Sequence, residues 1–512
     1  MRKKFLSLVS IFTCMLLLCS CVYYPDTQSE ISVSGDTNAN SSESVNLMEN
    51  EIIPEGNTAI LMNNVSGKSD KQAEEMRNKI LNSKDNLKIK GTTYYISSKT
   101  GNDNNDGLTP ETAWATADAI SVNAWQMKSG DAILFERGCI FRPSTQIFCK
   151  TGMSYGAYGE GAKPVIYGSV ENYSKPGYWE PSNKKNVWKL DLALMDAGII
   201  VFNHGEAVGY KQPGLMTLTK NGDFYHNSAD NLLYLYLDKG RPNQVYKDIE
   251  IGTRRAIFTL NSNIKDVVID NICMKYTGNF GVQAIGGHDN ITVSNCEIGW
   301  IGGSYMIDGD TGRYGNGIQF WDDASNTVVK DCWIYQVYDT GVTFQGAYYA
   351  NYDNVQFVDN LLEYCTMSIE FWNQERESWH KEPDGDIKNI KISGNICRFA
   401  GYGWGNQRYN PSQTSHLQAG SSYFYFISSM EISDNIFDMS THSLISWDYH
   451  LMTPKDKDII IKNNTYYKEK GETDNVLSIP GSNGWLTAKN QEQLENIVKQ
   501  VDSSPKEVAW VS

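Results

Sequence analysis

The sequence is short of several things, and each absence removes a class of function. Prolines number 14 in 512 residues, so no proline-rich ligand tract or rigid linker is present. Basic residues are outnumbered by acidic ones, 45 to 60, for a formal charge of −15; nucleic acid, whose phosphates call for a basic face, is not an expected partner. No CxxC or HExxH pattern occurs, so no zinc centre is expected. The longest apolar run, Phe5 to Leu18, is too short to span a bilayer comfortably. Glycine and tyrosine, by contrast, are abundant, at 43 and 30 residues.

What is present is a repeat. One phrase returns seven times: VVIDNICM (267–274), ITVSNCEI (291–298), TVVKDCWI (327–334), VQFVDNLL (355–362), IKISGNIC (390–397), MEISDNIF (430–437) and IIIKNNTY (459–466). Each copy alternates apolar and polar residues, meets a small or amide-bearing residue, then resumes with an apolar one. That pattern is a strand, a tight turn and a second strand. Successive copies start 24, 36, 28, 35, 40 and 29 residues apart, a coil of about two dozen residues with variable insertions. Strand-only repeats of this size predict an all-β chain, a parallel β-helix whose stacked coils share one core. The turn position holds Ile272, Cys296, Cys332, Asn360, Asn395, Asn435 and Asn464, and the four asparagines are expected to hydrogen-bond up the stack as a ladder.

Ahead of the repeats, Arg2, Lys3 and Lys4 precede the apolar run and Leu18-Cys19-Ser20-Cys21 closes it. The tetrad resembles the lipobox of bacterial lipoproteins. That resemblance implies cleavage after residue 20, a diacylglyceryl thioether on Cys21, and an exported chain anchored at the bacterial cell surface. Loss of the three cations would leave a mature charge of −15 − 3 = −18. Residues 21–68 are rich in Ser, Asn, Glu and Thr and are expected to be a disordered tether. Residues 69–90 hold a short amphipathic helix, with Ser69 and Asp70 as possible caps and Met76, Ile80 and Leu81 on one face, and a connector.

The folded body opens with TTYYISSKTGNDNNDGLTPETAWATADAISVNAWQMKSGDAILFERGCIF from Thr92, and YGAYGEGAKPVIYG follows at 155–168. The order Tyr-Tyr-Ile-Ser, a Gly-Asn-Asp to Asp-Gly turn, Ala-Trp, a short helix and Ser-Gly-Asp-Ala-Ile-Leu-Phe resembles the start of pectin-lyase-like right-handed parallel β-helix proteins. The resemblance implies a helix over Ala115–Met127 that plugs the N-terminal end. A plain turn is favoured for Gly101–Gly107, with a calcium ion on Asp103 and Asp106 as the alternative. The cap and first coils then occupy 91–177. Residues 178–250 carry alternating segments with hairpin turns and read as an inserted antiparallel β module, a layout similar to that of some β-helix glycosidases. Main coils run over 251–468. A C-terminal cap over 469–512 contains a closing helix, N-capped near Thr487. Seven cysteines remain after the signal segment and lipidation. Most sit at repeat positions as small buried hydrophobes; Cys139 and Cys149 either pair or lie as free core thiols.

Candidate chemistry comes from a second alignment. Gly281-Val-Gln-Ala, Gly317-Ile-Gln-Phe, Gly341-Val-Thr-Phe and Ser368-Ile-Glu-Phe superpose with their apolar residues inside. The outward row is then Gln283, Gln319, Thr343 and Glu370, flanked by Trp321, Gln345 and Trp372. Insertions at Gly302–Asn316, Asn373–Asp386, Gly403–Phe424 and Asp448–Asp458 are expected to wall a groove with Trp379, Trp404, Tyr305, Tyr409 and Trp447. Aromatic faces and amide rims suit sugar rings, so the expected partner is a polysaccharide or oligosaccharide. Gln283, Gln319, Trp321, Gln345, Trp372, Arg313, Trp404 and His416 are the expected contacts. Glycoside hydrolysis needs one protonated and one ionised carboxyl group. Glu370 and Asp322 are the expected pair, with Asp339 assisting. Competing readings are β-elimination from uronate polymers, with Arg313, Arg376, Arg398, Arg408, His380, His416 or His442 as base, and a non-enzymatic glycan-binding lipoprotein. Polygalacturonase motifs are absent.

Overall fold

The computed structural model describes residues 65–307, 312–346, 349–373, 385–408, 414–419, 426–447, 458–469, 475–478 and 484–511. The signal segment, Cys21, all but the last few tether residues, Trp379, Tyr409, Arg376 and His380 lie outside the described residues.

Each repeat phrase folds as read. In the first copy, Lys265–Asp270 belongs to one sheet and Cys273–Thr277, after the turn, to a second. A third strand, Val282–Ile285, closes the coil in a third sheet before the chain starts the next turn. Copy pairs with copy in parallel: Val267 faces Ile291, Cys273 faces Glu297 and Val282 faces Ile318. The result is a right-handed parallel β-helix. Inward Ile, Val and Phe residues of all three sheets form one continuous core, each worth roughly 1.5–3 kcal/mol on burial.

The first turn is built by asparagine, aspartate or glycine. Asn271, Asn295, Asp331, Asp359, Gly394, Asp434 and Asn463 all have φ between 51° and 71°, the left-handed region that short Asx side chains tolerate. The next residue turns inward and carries the ladder. Asn360 N and Nδ2 donate to Asn395 Oδ1 at 3.1 and 3.0 Å. Asn395 donates in the same way to Asn435, and Asn435 to Asn464. Asn464 donates its N and Nδ2, both at 2.9 Å, to Asp502 Oδ2 in the C-terminal cap.

The second turn was not legible in the sequence. It also uses positive φ, but at Tyr276, Trp300, Gln336, Tyr364, Phe399 and Met439, mostly bulky residues for which that region is unusual. Five of the six, all but Gln336, pack outside the coil in a second apolar cluster. The N-terminal helix, Asp70–Leu81, lies over this outer face of the second sheet with Ala73 and Ile80 buried. Ser69 makes no helix cap. Its N and Oγ donate to Asp438 instead, at 2.8 and 2.5 Å, while Arg398 pairs with Asp70 and Arg77 with Glu363. Val65 packs on the same cluster, so the last residues assigned to the tether are fixed to the body.

The N-terminal plug is shorter than expected: a helix over Ala119–Asn123 and a 3-10 turn over Ala124–Gln126, with Ala119, Ile120 and Met127 in the core. Asp103 accepts from Ala115 N, Thr116 N and Thr116 Oγ1, and Asp106 from Leu108 N and Thr112 Oγ1. The inserted module is a five-stranded sheet and a three-stranded one around their own core. The C-terminal helix, Gln491–Val498, is capped by Asn490, whose Oδ1 accepts from Gln493 N; Thr487 lies in a strand. The seven described cysteines are buried free thiols, Cys139 and Cys149 included.

Candidate active site on the third sheet

The outward row is continuous. Parallel register joins Thr259, Gln283, Gln319, Thr343, Glu370, Gln418 and Ser446, and beside it Ile285, Trp321, Gln345 and Trp372. Trp321 and Trp372 meet edge to face with centroids 5.7 Å apart. The amides are knitted together: Asn316 Nδ2 and Gln345 Nε2 both donate to Gln319 Oε1, at 2.8 and 3.0 Å, and Thr343 Oγ1 donates to Gln345 Oε1 at 3.2 Å. Gln319, Thr343 and Gln345 are consequently buried within this lattice, whereas Gln283, Trp321, Glu370 and Trp372 are partly buried and keep a minor part of their surface open.

Glu370 occupies the middle of its strand, between inward Ile369 and Phe371. Thr340 Oγ1 donates to Glu370 Oε2 at 3.2 Å, and the neighbouring Trp372 side chain favours the ionised carboxyl. Burial, then repulsion from Asp339, push Glu370 up to about 8, against the opposing pull of Arg408. Asp339 stands at the preceding corner, and Met367 N donates to its carbonyl at 3.0 Å, which fixes it beside the next coil. Its carboxylate is ion-paired with Arg408. Burial alone would lower the Arg408 pKa, but Asp339 first and Glu370 next raise it, so the guanidinium stays charged. One cation thus serves two carboxyl groups.

Asp322 does not join them. Register places it two coils before Glu370 and three residues beyond Gln319 along the strand. At roughly 4.8 Å per coil and 3.3 Å per residue the backbones are about 14 Å apart. Asp322 also sits in a left-handed turn, φ 55°, which swings its carboxyl over the backbone of Gly346, where a Cβ would lie 2.5 Å from Oδ1. The pair the structure assembles is Glu370 with Asp339.

Four expected wall residues are structural. Trp404 is fully buried, tilted against Tyr338 with ring centroids 5.1 Å apart and its indole N–H on the Gln336 carbonyl. Trp447 is fully buried against Phe371. His416 belongs to a corner position held by Gly281, Gly317, Gly341 and Ser368 in earlier coils, which faces inward: a Cβ on Gly341 would meet Leu362 and Cys365 side chains. His416 therefore stacks on core Phe437, and burial drives its pKa down to about 3. Arg313 braces the pair of short strands Ser304–Tyr305 and Arg313–Tyr314 to the inserted module, donating to Gly303 O at 2.7 Å and Gly198 O at 3.2 Å. Its guanidinium lies over the Tyr338 ring, 4.4 Å from the centroid. Of the other bases considered, Arg398 is buried beneath the N-terminal helix, away from this row, and His442 is buried with Asn475 Nδ2 at 3.0 Å. Arg408 and Thr340 are the site residues the row alignment missed. Arg408 comes from an insertion whose fold no periodicity announces; Thr340 was visible only as the residue after Asp339.

The three stacked sheets and this polar row define a parallel β-helix protein, in line with the resemblance of the opening segment. No protein-family model matches the sequence, and no curated protein matches it. Among solved structures the chain is similar to XylC in complex with xylose, at 15% identity and a TM-score of 0.41, over 74% of this chain and 69% of that one. It is similar to a glycoside hydrolase at 10% identity and a TM-score of 0.42, over 82% and 96% of the two chains. A third is the GH136 lacto-N-biosidase from Eubacterium ramulus, at 15% identity and a TM-score of 0.40, over 77% and 66%. At these identities the likeness is one of fold.

Proposed function

We propose that the chain processes polysaccharide as a glycoside hydrolase, exported and held at the bacterial cell surface through a lipid on Cys21. The observation that carries the reading is the Glu370–Asp339–Arg408 cluster. Glu370, pushed up to about 8, is protonated at neutral pH, while Asp339 stands beside it as the partner of the Arg408 ion pair. That is the division of labour glycoside hydrolysis requires. Glu370 donates its proton to the glycosidic oxygen as the bond to the anomeric carbon breaks, the Asp339 side chain faces the positive charge that develops on the sugar ring, and water adds to that carbon and gives its proton back to Glu370. Trp321 and Trp372 offer apolar faces to the rings, and Gln283 an amide to their hydroxyls.

Elimination from uronates fits less well, because the nearest candidate base, Arg408, is held in its charged form by two carboxyl groups. The test is a panel of plant and bacterial glycans, with reducing ends and the absorbance of unsaturated uronates read in parallel. Reducing sugar without unsaturated product is the expected result; unsaturated product would mean lyase, and binding alone an adhesin. Glu370→Gln keeps volume and removes the proton donor, and turnover should fall roughly a hundredfold or more. Near-normal turnover in that variant would overturn the assignment.

A further inference from the structure

The row that holds Glu370 begins well away from it. Register carries it back through Thr343, Gln319, Gln283 and Thr259 to Phe148, five coil steps from Glu370, or about 24 Å at roughly 4.8 Å each. There the inserted module overhangs the first strand of the third sheet. Between them lies a cleft of about 590 Å³, lined by Gln146, Phe148, Leu194, Met195, Asn231 and Arg255 among others. That volume falls in the range of small-ligand sites.

Two features make this cleft a binding surface. Phe148 and Met195 are 44% and 52% exposed although they face one another's elements across it, while most large apolar residues of the chain are buried. Its polar lining holds one cation, which is buried and lies near the offsetting charge of Asp118. Arg255, the only ionisable residue in the lining, places Nε and Nη2 on the Gly168 carbonyl, at 3.0 and 2.6 Å, and Nη1 on Ser144 O at 2.8 Å. Gln146, whose Oε1 accepts from Thr259 Oγ1 at 3.1 Å, ties the cleft to the row itself. Apolar faces with amide and hydroxyl groups, and a single buried cation whose Nε and Nη atoms already serve backbone carbonyls, suit neutral sugar rings.

We propose that this cleft is a distal subsite that holds the far units of a neutral polysaccharide whose scissile bond lies at Glu370. The proposal rests on the glycan-hydrolase reading of the row. One coil step is close to the advance of one sugar unit in an extended chain, so the substrate must be about six units or longer to span both places. The inserted module thereby selects polymer over short oligosaccharide.

The test uses the full mature chain carrying Glu370→Gln, so that bound glycan is not cut. It is titrated calorimetrically with size-fractionated xylan, galactan and homogalacturonan oligosaccharides of about two to about eight units. For a neutral series, affinity should rise about tenfold or more once length passes about six units. Phe148→Ser with Met195→Ser should abolish that increment and leave binding of short oligosaccharides unchanged. Trp125→Ser, which removes an 81% exposed indole on the N-terminal cap, should change neither. An increment that survives the double substitution at unchanged Tm overturns the subsite. Turnover with Glu370 intact is measured separately on the same glycans, so this result would leave the hydrolase reading standing. An increment confined to homogalacturonan overturns the neutral class, and absence of both binding and cleavage in every series overturns the subsite together with the reading beneath it.

Discussion

Two glutamates seven residues apart in one coil have opposite surroundings. Glu363, on the second sheet, receives Arg77 Nη2 at 2.8 and 2.9 Å, Arg398 Nη1 at 3.0 Å and the Trp333 indole at 2.9 Å, all under the N-terminal helix. Glu370, on the third sheet, shares a single arginine with Asp339 and lies in a row that no helix of the described residues covers. Where two arginines and an indole converge on one carboxylate, it is locked and the cluster fastens one element to another. Where two carboxyl groups share one cation, one of them keeps its proton at neutral pH and can give it away. The same coil therefore builds a clamp on one face and an acid on another, and the difference lies in the count of neighbouring charges.

The largest effect is expected at the clamp. Arg398→Ala takes a buried cation from both Glu363 and Asp438 beneath the helix and should destabilise the fold by about 3–5 kcal/mol. The measurements are denaturant unfolding and turnover per folded molecule, the second of which should be unchanged. At the acid, Asp339→Asn removes the repulsion that, after burial, raises Glu370. The basic limb of the kcat/KM profile, expected near pH 8 in the native chain, should then move to lower pH; a limb that stays in place would show that burial alone sets it. Stability carries the same signature more weakly. The folded state holds the Glu370 proton more tightly than the unfolded state does. Its contribution is therefore whole below pH 4.5 and is lost as pH rises to about 8, a change of up to a few kcal/mol. Glu370→Gln should flatten that part of the stability–pH curve, read as Tm across a buffer series. Smallest of all, Gln283→Ala, three coil steps from Glu370, should weaken glycan binding severalfold and leave kcat alone.

The sequence revealed this coil unevenly. The row from Gln283 to Glu370 was readable because strand alternation and coil register are both periodic, and a period survives in a single sequence. The ladder was readable for the same reason. Asp322 was misplaced because it follows its strand, where a left-handed turn redirects the side chain and alternation no longer applies. Trp404, Trp447 and His416 were assigned to the groove by proximity in sequence, yet an aromatic ring beside a strand end gains more by turning into the core than by facing water. Arg408 reaches Asp339 from 69 residues further along the chain, and nothing periodic links the two. The clamp was hidden likewise, since the amphipathic helix announced an apolar face but not which sheet would receive it.

The asparagine ladder has a direction. Every amide in it accepts from the coil before and donates to the coil after, so the row reads one way along the stack, from Asn360 towards Asn464. Asp502, where it stops, accepts from Asn464 and, as a carboxylate, has no N–H to hand on. A coil duplicated between Asn360 and Asn464 could extend the row without loss, whereas one added after Asp502, or offered there by a second copy of the chain, would meet no donor. The stack can grow in its middle and is chemically closed at that tip.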